Sequence, residues 1–129
     1  MSVRPSDCDR FGELSAGSGV QFCADAMEVW SLKSTNNAAS STSSSWRAVV
    51  RSSDTHWVRR VRAGEELVMI VEVRAWLRDG SFDVSFEARV AGEEVFTTEC
   101  RFEGLAPAKN GIGWGPAPPP KAFRRLWTG

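Results

Sequence analysis

Alternation of apolar and polar residues in the second half of the chain constrains its fold more than any other feature. Apolar side chains occupy every second position from Leu67 to Leu77 and again from Phe82 to Val90. Asp79-Gly80, a strong hairpin signal, separates these two runs. Another glycine turn at Gly92 leads into a further run from Phe96 to Phe102. The pattern predicts antiparallel strands with one buried face and one wetter face.

An amphipathic segment and a further strand precede these runs. From position 20 to 33 apolar residues recur at helical spacing, which predicts a helix after a glycine-rich turn at 13–19. Ser34–Ser45 consists of Ser, Thr, Asn and Ala, and it reads as a flexible loop, either a linker or a lid. Trp46–Val61 is interpreted as one long strand with room for a bulge. The helix would cover the buried face of the sheet, so we expect an α+β fold.

Composition limits the classes of function. The 129 residues predict a single domain that ends in a Gly/Pro-rich tail at 104–129. Sixteen basic and sixteen acidic residues balance, which argues against a nucleic-acid-binding surface. Three cysteines show no metal-ligand spacing, so we expect reduced thiols and neither a metal nor another cofactor. No signal peptide or membrane-spanning run is visible, and we expect a cytoplasmic protein that does not bind membranes.

A turn with two aspartates lies near the amino terminus. Asp7 and Asp9 flank Cys8, and Gly12 follows before the predicted helix. A carboxylate beside a helix start, where N–H groups lack intrahelical partners, could support acyl transfer. The alternative is that both aspartates only form the turn and cap it.

This turn, followed by a helix with Ala24-Asp25-Ala26 and then by strands, resembles the hotdog-fold acyl thioesterases of the 4-hydroxybenzoyl-CoA type. The resemblance covers Val3 to about Phe102. It implies a curled antiparallel sheet of about five strands around one long central helix. It also implies a dimer or a dimer of dimers, with pockets between subunits.

The resemblance assigns roles to individual residues. Asp9 falls on the position of the family's catalytic acid, as nucleophile or general base. Gly12 falls on the family glycine of the turn, and Asp25 is a second candidate acid because some relatives carry it on the helix. The implied oxyanion donors are backbone N–H groups of the next segment: Ala16, Gly17, Ser18 and Gly19.

The chain also departs from the family pattern. Many relatives have Gly-His-Val-Asn-Asn where this chain has Gly12-Glu13-Leu14-Ser15-Ala16. Glu13 could act as a second carboxylate beside Asp9 and raise one of their pKa values, or it could point into water. Gly17–Gly19 replaces bulky aromatic residues, which leaves space for a large aryl or polycyclic acyl group.

Two further groups are candidates for contacts with the substrate. His56 and Trp57 lie on a strand that can follow the subunit boundary in hotdog dimers, although a structural role fits both residues. Arg59, Arg60 and Arg62 could bind coenzyme A phosphates or an acidic carrier protein. The same arginines could simply be the solvated edge of a strand.

These inferences lead to one preferred function and two alternatives. The preferred function is hydrolysis of an acyl-CoA or acyl-carrier-protein thioester with a bulky aryl or polyketide-like acyl group. The first alternative is a hotdog dehydratase, cyclase or decarboxylase of secondary metabolism, which the loss of the His and Asn-Asn positions favours. The second is a binding module without catalysis.

Overall fold

The computed structural model describes residues 1–37, 46–108 and 111–127. Its helical elements are a short 3-10 turn at Pro5–Asp7 and two α-helices, α1 (Ala16–Asn37) and α2 (Lys121–Arg125). Its strands are β1 (Arg47–Trp57), β2 (Val68–Trp76), β3 (Phe82–Val90), β4 (Glu93–Pro107) and β5 (Trp114–Pro116). None of the helices in these ranges combines the length and the apolar composition needed to cross a membrane.

The strands form one antiparallel sheet, which confirms the predicted five-stranded architecture. The main order is β1-β4-β3-β2, and β5 pairs with β4 at Leu105 to Pro107. The predicted third strand has the same bounds as β3, and its buried face follows the alternation. The predicted bulge in the first strand lies between Val50 and Ser52, where the pairing with β4 shifts.

One face of the sheet and one face of α1 enclose the main core. Phe82, Val84 and Phe86 of β3 are fully buried, and they belong to one cluster with Cys23 and Met27 of α1. Burying each such large apolar side chain contributes about 1.5–3 kcal/mol. The apolar faces of α1 and β3 therefore pack in the same core, as the helical spacing and the two-residue alternation predict.

Helix α1 differs from its predicted bounds at both ends. It begins at Ala16 instead of Val20, because the Ser15 hydroxyl accepts a hydrogen bond from the Ser18 N–H at 3.2 Å and so caps the first turn. The predicted glycine-rich turn is therefore partly helical. The helix also continues to Asn37, four residues into the predicted loop, and residues 38–45 of that loop lie outside the described residues.

The carboxyl-terminal segment is more ordered than a tail. β4 continues to Pro107, and Lys121–Arg125 form α2. Phe123 of α2 is fully buried, with its ring centroid 4.8 Å from that of Trp46. The buried aromatic side chain explains why α2 is held against the core, and no local sequence pattern predicts this contact.

Candidate functional site

A pocket of about 380 Å³ lies between α1 and the edge strand β1. Because β1 ends the sheet order, the pocket lies at the edge of the described sheet. Its α1 side is lined by Gly17, Val20, Gln21, Ala24, Asp25 and Glu28, and its β1 side is lined by Arg47, Ala48, Val49 and Val50. The pocket thus combines small and branched apolar side chains with a few charged ones, as ligand sites do.

Two carboxylates of α1 lie in this pocket. Asp25 is partly buried, and its Oδ1 accepts a hydrogen bond of 2.8 Å from Gln21 Nε2 one turn earlier. Glu28, three residues further along the same helix face, is exposed. The Gln21 amide fixes the orientation of the Asp25 carboxylate while leaving its second oxygen for another partner.

The amino end of α1 presents backbone N–H groups beside the same pocket. Ser15 accepts the hydrogen bonds of the Ser18 and Gly19 N–H groups, through its hydroxyl and its carbonyl respectively. This leaves the N–H groups of Ala16 and Gly17 without an acceptor among the described residues. Gly17 lines the pocket, and a Cβ built on it would meet nothing within 4 Å. A helix end of this kind stabilises negative charge.

The aspartate turn forms as predicted, and its carboxylates bind backbone N–H groups. Asp9 Oδ1 accepts hydrogen bonds from Phe11 N–H at 2.8 Å and from Glu13 N–H at 3.2 Å. Gly12 has a φ of +76°, a conformation that favours glycine. The Arg4 N–H and guanidinium both bind Asp7 and lower the pKa of its carboxyl. Asp9 is exposed and is not among the residues that line the α1–β1 pocket.

Glu13 connects the aspartate turn to the loop after β1. Its backbone pairs with Arg62 in an isolated bridge, and its carboxylate lies 4.0 Å from Arg60 Nε. The carboxylate therefore has a cationic neighbour, and it does not line the α1–β1 pocket.

The predicted arginine cluster is mostly engaged in contacts within the chain. Arg59 makes two hydrogen bonds to Glu65, at 3.1 and 2.7 Å, and these bonds help to lower the pKa of the Glu65 carboxyl to about 2. The Arg60 guanidinium carbon lies over the Trp57 ring, 5.0 Å from its centroid. Arg62 is exposed, and its side chain has no ion pair with any residue that the structure describes.

His56 and Trp57 have different environments. His56 is exposed and lies 3.4 Å from Asp54 on the same strand. Trp57 packs against Phe96 with ring centroids 4.8 Å apart, and it is the nearest neighbour of a Cβ built on Gly19. Trp57 therefore packs against a second core cluster, which consists of Val3, Leu14, Val61, Leu67, Ala88, Val95 and Phe96.

The cysteines do not supply a nucleophile to the pocket. All three are unpaired, and Cys23 and Cys100 are buried in the main core. A hydrogen bond to Cys100, together with burial, raises the pKa of the Cys23 thiol above its usual range. Within the described ranges, no group of three or more His, Cys, Asp and Glu residues could hold a metal ion.

The structure therefore brings together only part of the predicted site. Gly17 and Asp25 line one pocket, whereas Asp9, Glu13, His56 and the three arginines do not line it. Sequence reasoning missed Arg47, which lines the pocket and stacks on Trp114 with its guanidinium 4.5 Å from the ring centroid. No pattern around Arg47 could have revealed this, because Trp114 is distant in sequence.

Comparison with known proteins finds similarity in structure and none in sequence families. No protein-family model matches the chain, and a search of curated proteins finds no match. Solved structures do match. One is a dynemicin thioesterase studied in complex with a polyene, with a TM-score of 0.79 and 11% identity over 99% of this chain and 92% of that one.

Two further matches act on aromatic coenzyme A thioesters. A gentisyl-coenzyme A thioesterase matches with a TM-score of 0.75 and 13% identity, covering 96% of each chain. A 1,4-dihydroxy-2-naphthoyl-CoA thioesterase from Synechocystis matches with a TM-score of 0.73 and 15% identity, covering 99% of this chain and 92% of that one. At these identities the likeness concerns the fold alone, and this chain shares the hotdog fold of these proteins.

Proposed function

We propose that this protein hydrolyses acyl thioesters and that Asp25 is its working acid. The observation that carries the proposal is that Gly17 and Asp25 line one pocket on α1, in a chain with the fold of thioesterases. Each copy of the chain carries both groups that acyl transfer requires, namely a carboxylate and an N–H donor for an oxyanion.

Each group has a defined task in this reaction. The Gly17 N–H, at the positive end of the helix dipole, donates to the thioester carbonyl oxygen as negative charge develops there. The Asp25 carboxylate attacks the carbonyl carbon or takes a proton from the attacking water. Gln21 Nε2 donates to Oδ1 of Asp25, which leaves Oδ2 for the reaction.

Both groups can act on one carbonyl only if they come from two copies of the chain. Eight residues separate Gly17 from Asp25, and an α-helix rises about 12 Å over eight residues. A donor and a base that share one carbonyl through one water are about 7 Å apart. We propose a dimer in which the β1 edges pair, so that Gly17 of one copy faces Asp25 of the other.

The pocket supports a bulky acyl group. Its volume of about 380 Å³ and its apolar residues Val20, Ala24 and Val50 suit an aryl or polyketide-like chain. Two fold neighbours act on aromatic acyl-CoA thioesters, and one was studied with a polyene. Coenzyme A is the carrier we propose first, since a further neighbour was crystallised with it. An acyl carrier protein is the second carrier to test.

Asp9 stays a competing prediction for the acid. Its carboxylate binds two backbone N–H groups of its own turn, which supports a structural role. Asp9→Asn keeps the accepting Oδ1 and removes only the negative charge. It therefore tests the chemical role of Asp9 without removing the acceptor that orders the turn.

The test is release of free thiol from a panel of aryl-CoA and acyl-carrier-protein thioesters, with the acid product measured in parallel. We expect Asp25→Asn to lower kcat about 10²- to 10⁴-fold, the range for a lost acid–base group. Glu28→Gln, a second pocket carboxylate, and Asp9→Asn are the matched controls and should stay near wild type. Substrate consumed without thiol release would support the dehydratase, cyclase or decarboxylase alternative instead.

A further inference from the structure

We infer that the basic face of α2 binds the acidic surface of an acyl carrier protein. The inference rests on the proposed function and deepens it, because it gives the second proposed carrier a docking surface. The basic face consists of Lys121, Arg124 and Arg125, which are all exposed. Residues at positions i, i+3 and i+4 lie on one side of a helix, so the three charges share one side of α2.

The charge of the carboxyl-terminal segment is unbalanced, although the whole chain is neutral. Residues 104–129 contain four basic residues and no Asp or Glu. Lys121 and Arg125 are in no ion pair with a residue that the structure describes, whereas Arg51, Arg59 and Arg101 each pair with a carboxylate. The charge of these two residues is therefore available to a partner of opposite sign.

Contacts on the other side of α2 anchor the basic face to the core. The fully buried Phe123 ring packs against Trp46 and Trp76, with centroids 4.8 and 6.2 Å away. The Arg124 guanidinium carbon lies 4.9 Å from the Trp76 ring centroid. A partner that binds here meets a helix that is already held in place, so less conformational entropy is lost on binding.

The anchored helix lies at one end of the α1–β1 pocket. Trp46, which contacts Phe123, directly precedes Arg47 of the pocket lining. Met27, which belongs to the same core cluster as Phe123, directly precedes Glu28 of the lining. A carrier protein holds its acyl group on a flexible phosphopantetheine arm, so a carrier bound to α2 can deliver that group to the neighbouring pocket.

The test compares one acyl group on two carriers. We measure kcat/KM by thiol release for the naphthoyl thioester of a phosphopantetheinylated acyl carrier protein and for naphthoyl-CoA. The variant Lys121→Glu/Arg125→Glu reverses two charges and leaves Arg124 on Trp76. We expect it to lower kcat/KM for the carrier-protein substrate about fivefold to thirtyfold and to leave that for naphthoyl-CoA near wild type.

Three further measurements make the result specific. Arg10→Glu/Arg74→Glu makes the same change in net charge at two exposed arginines of other elements, and it should leave both kcat/KM values near wild type. Added salt should weaken the use of the carrier-protein substrate by wild type, because it screens exposed charges. The Kd of the same carrier protein bearing a naphthoyl thioether tests docking without turnover, and it should rise in the Lys121→Glu/Arg125→Glu variant.

The outcomes separate this inference from the proposed function. Equal losses with both carriers, equal losses in the control variant or an unchanged Kd would overturn the docking surface while leaving the hydrolase assignment intact. Tighter binding to a DNA duplex than to the carrier protein would overturn it as well, with a nucleic acid as the occupant. If neither thioester releases thiol while the charge reversal still raises the Kd, the proposed hydrolysis fails and the docking surface stands.

Discussion

The shared-site arrangement can be tested by mixing two inactive variants. Asp25→Asn removes the proposed acid, and Gly17→Pro removes the proposed oxyanion donor, since proline has no N–H. Proline is tolerated in the first turn of a helix, and position 17 is the second residue of α1. Gly17→Ala keeps the N–H and adds a Cβ that meets nothing within 4 Å, so it is the matched control.

The expected magnitudes follow from the geometry of the site. Loss of one oxyanion donor lowers kcat about 10²- to 10³-fold, and loss of the acid lowers it about 10²- to 10⁴-fold. In a mixed dimer, one site has both groups intact and the other has neither. Random exchange makes half of the dimers mixed, so the mixture should regain about a quarter of wild-type activity.

The assay measures thiol release after the two variants, carrying different affinity tags, have been co-expressed. Sequential purification on both tags isolates the mixed dimer, which should reach about half of wild-type activity. If the purified mixed dimer is no more active than its two parents, Gly17 and Asp25 do not act on one carbonyl from different copies.

Three predictions concern pH and stability. Hydrogen bonds from Arg59 lower the pKa of the Glu65 carboxyl to about 2. The ionised carboxylate therefore stabilises the fold fully above the ordinary pKa of glutamate, and this stabilisation is lost as the pH falls toward about 2. Glu65→Gln should reduce the loss of thermal stability between those pH values, measured in thermal melts. Gly104→Ala places a Cβ onto the Trp46 indole and a backbone oxygen, so it should unfold the protein or strongly lower its urea midpoint. Gly92→Ala should lower the urea midpoint less, because only the positive φ at position 92 opposes the substitution. Phe123→Ala should lower the free energy of unfolding by about 3–5 kcal/mol, because the ring is fully buried; a loss below about 1 kcal/mol in urea melts would contradict a core role for α2.

The sheet was the most predictable part of the structure. Alternation from Phe82 to Val90 gave the bounds of β3, because one strand face is fully buried and the period is fixed at two residues. The glycines at positions 80 and 92 have positive φ values, which the hairpin turns use. Local chemistry was sufficient for these elements.

The start of α1 was less predictable because tertiary contacts override local propensity there. Gly17 and Gly19 disfavour a helix, yet the Ser15 hydroxyl caps the first turn, and Gly19 lies beside Trp57. The candidate site was predicted only in part for the same reason. Asp25 and Arg47 line one pocket only because α1 packs beside the edge strand β1, and no local sequence pattern predicts that packing.

The most direct test of the whole account is a crystal structure with a non-hydrolysable aryl-CoA thioether. We expect the aryl group in the α1–β1 pocket, with the atom next to sulfur between Gly17 of one copy and Asp25 of the other. An aryl group bound instead against the Asp9 turn, away from α1 residues 17–28, would contradict the account.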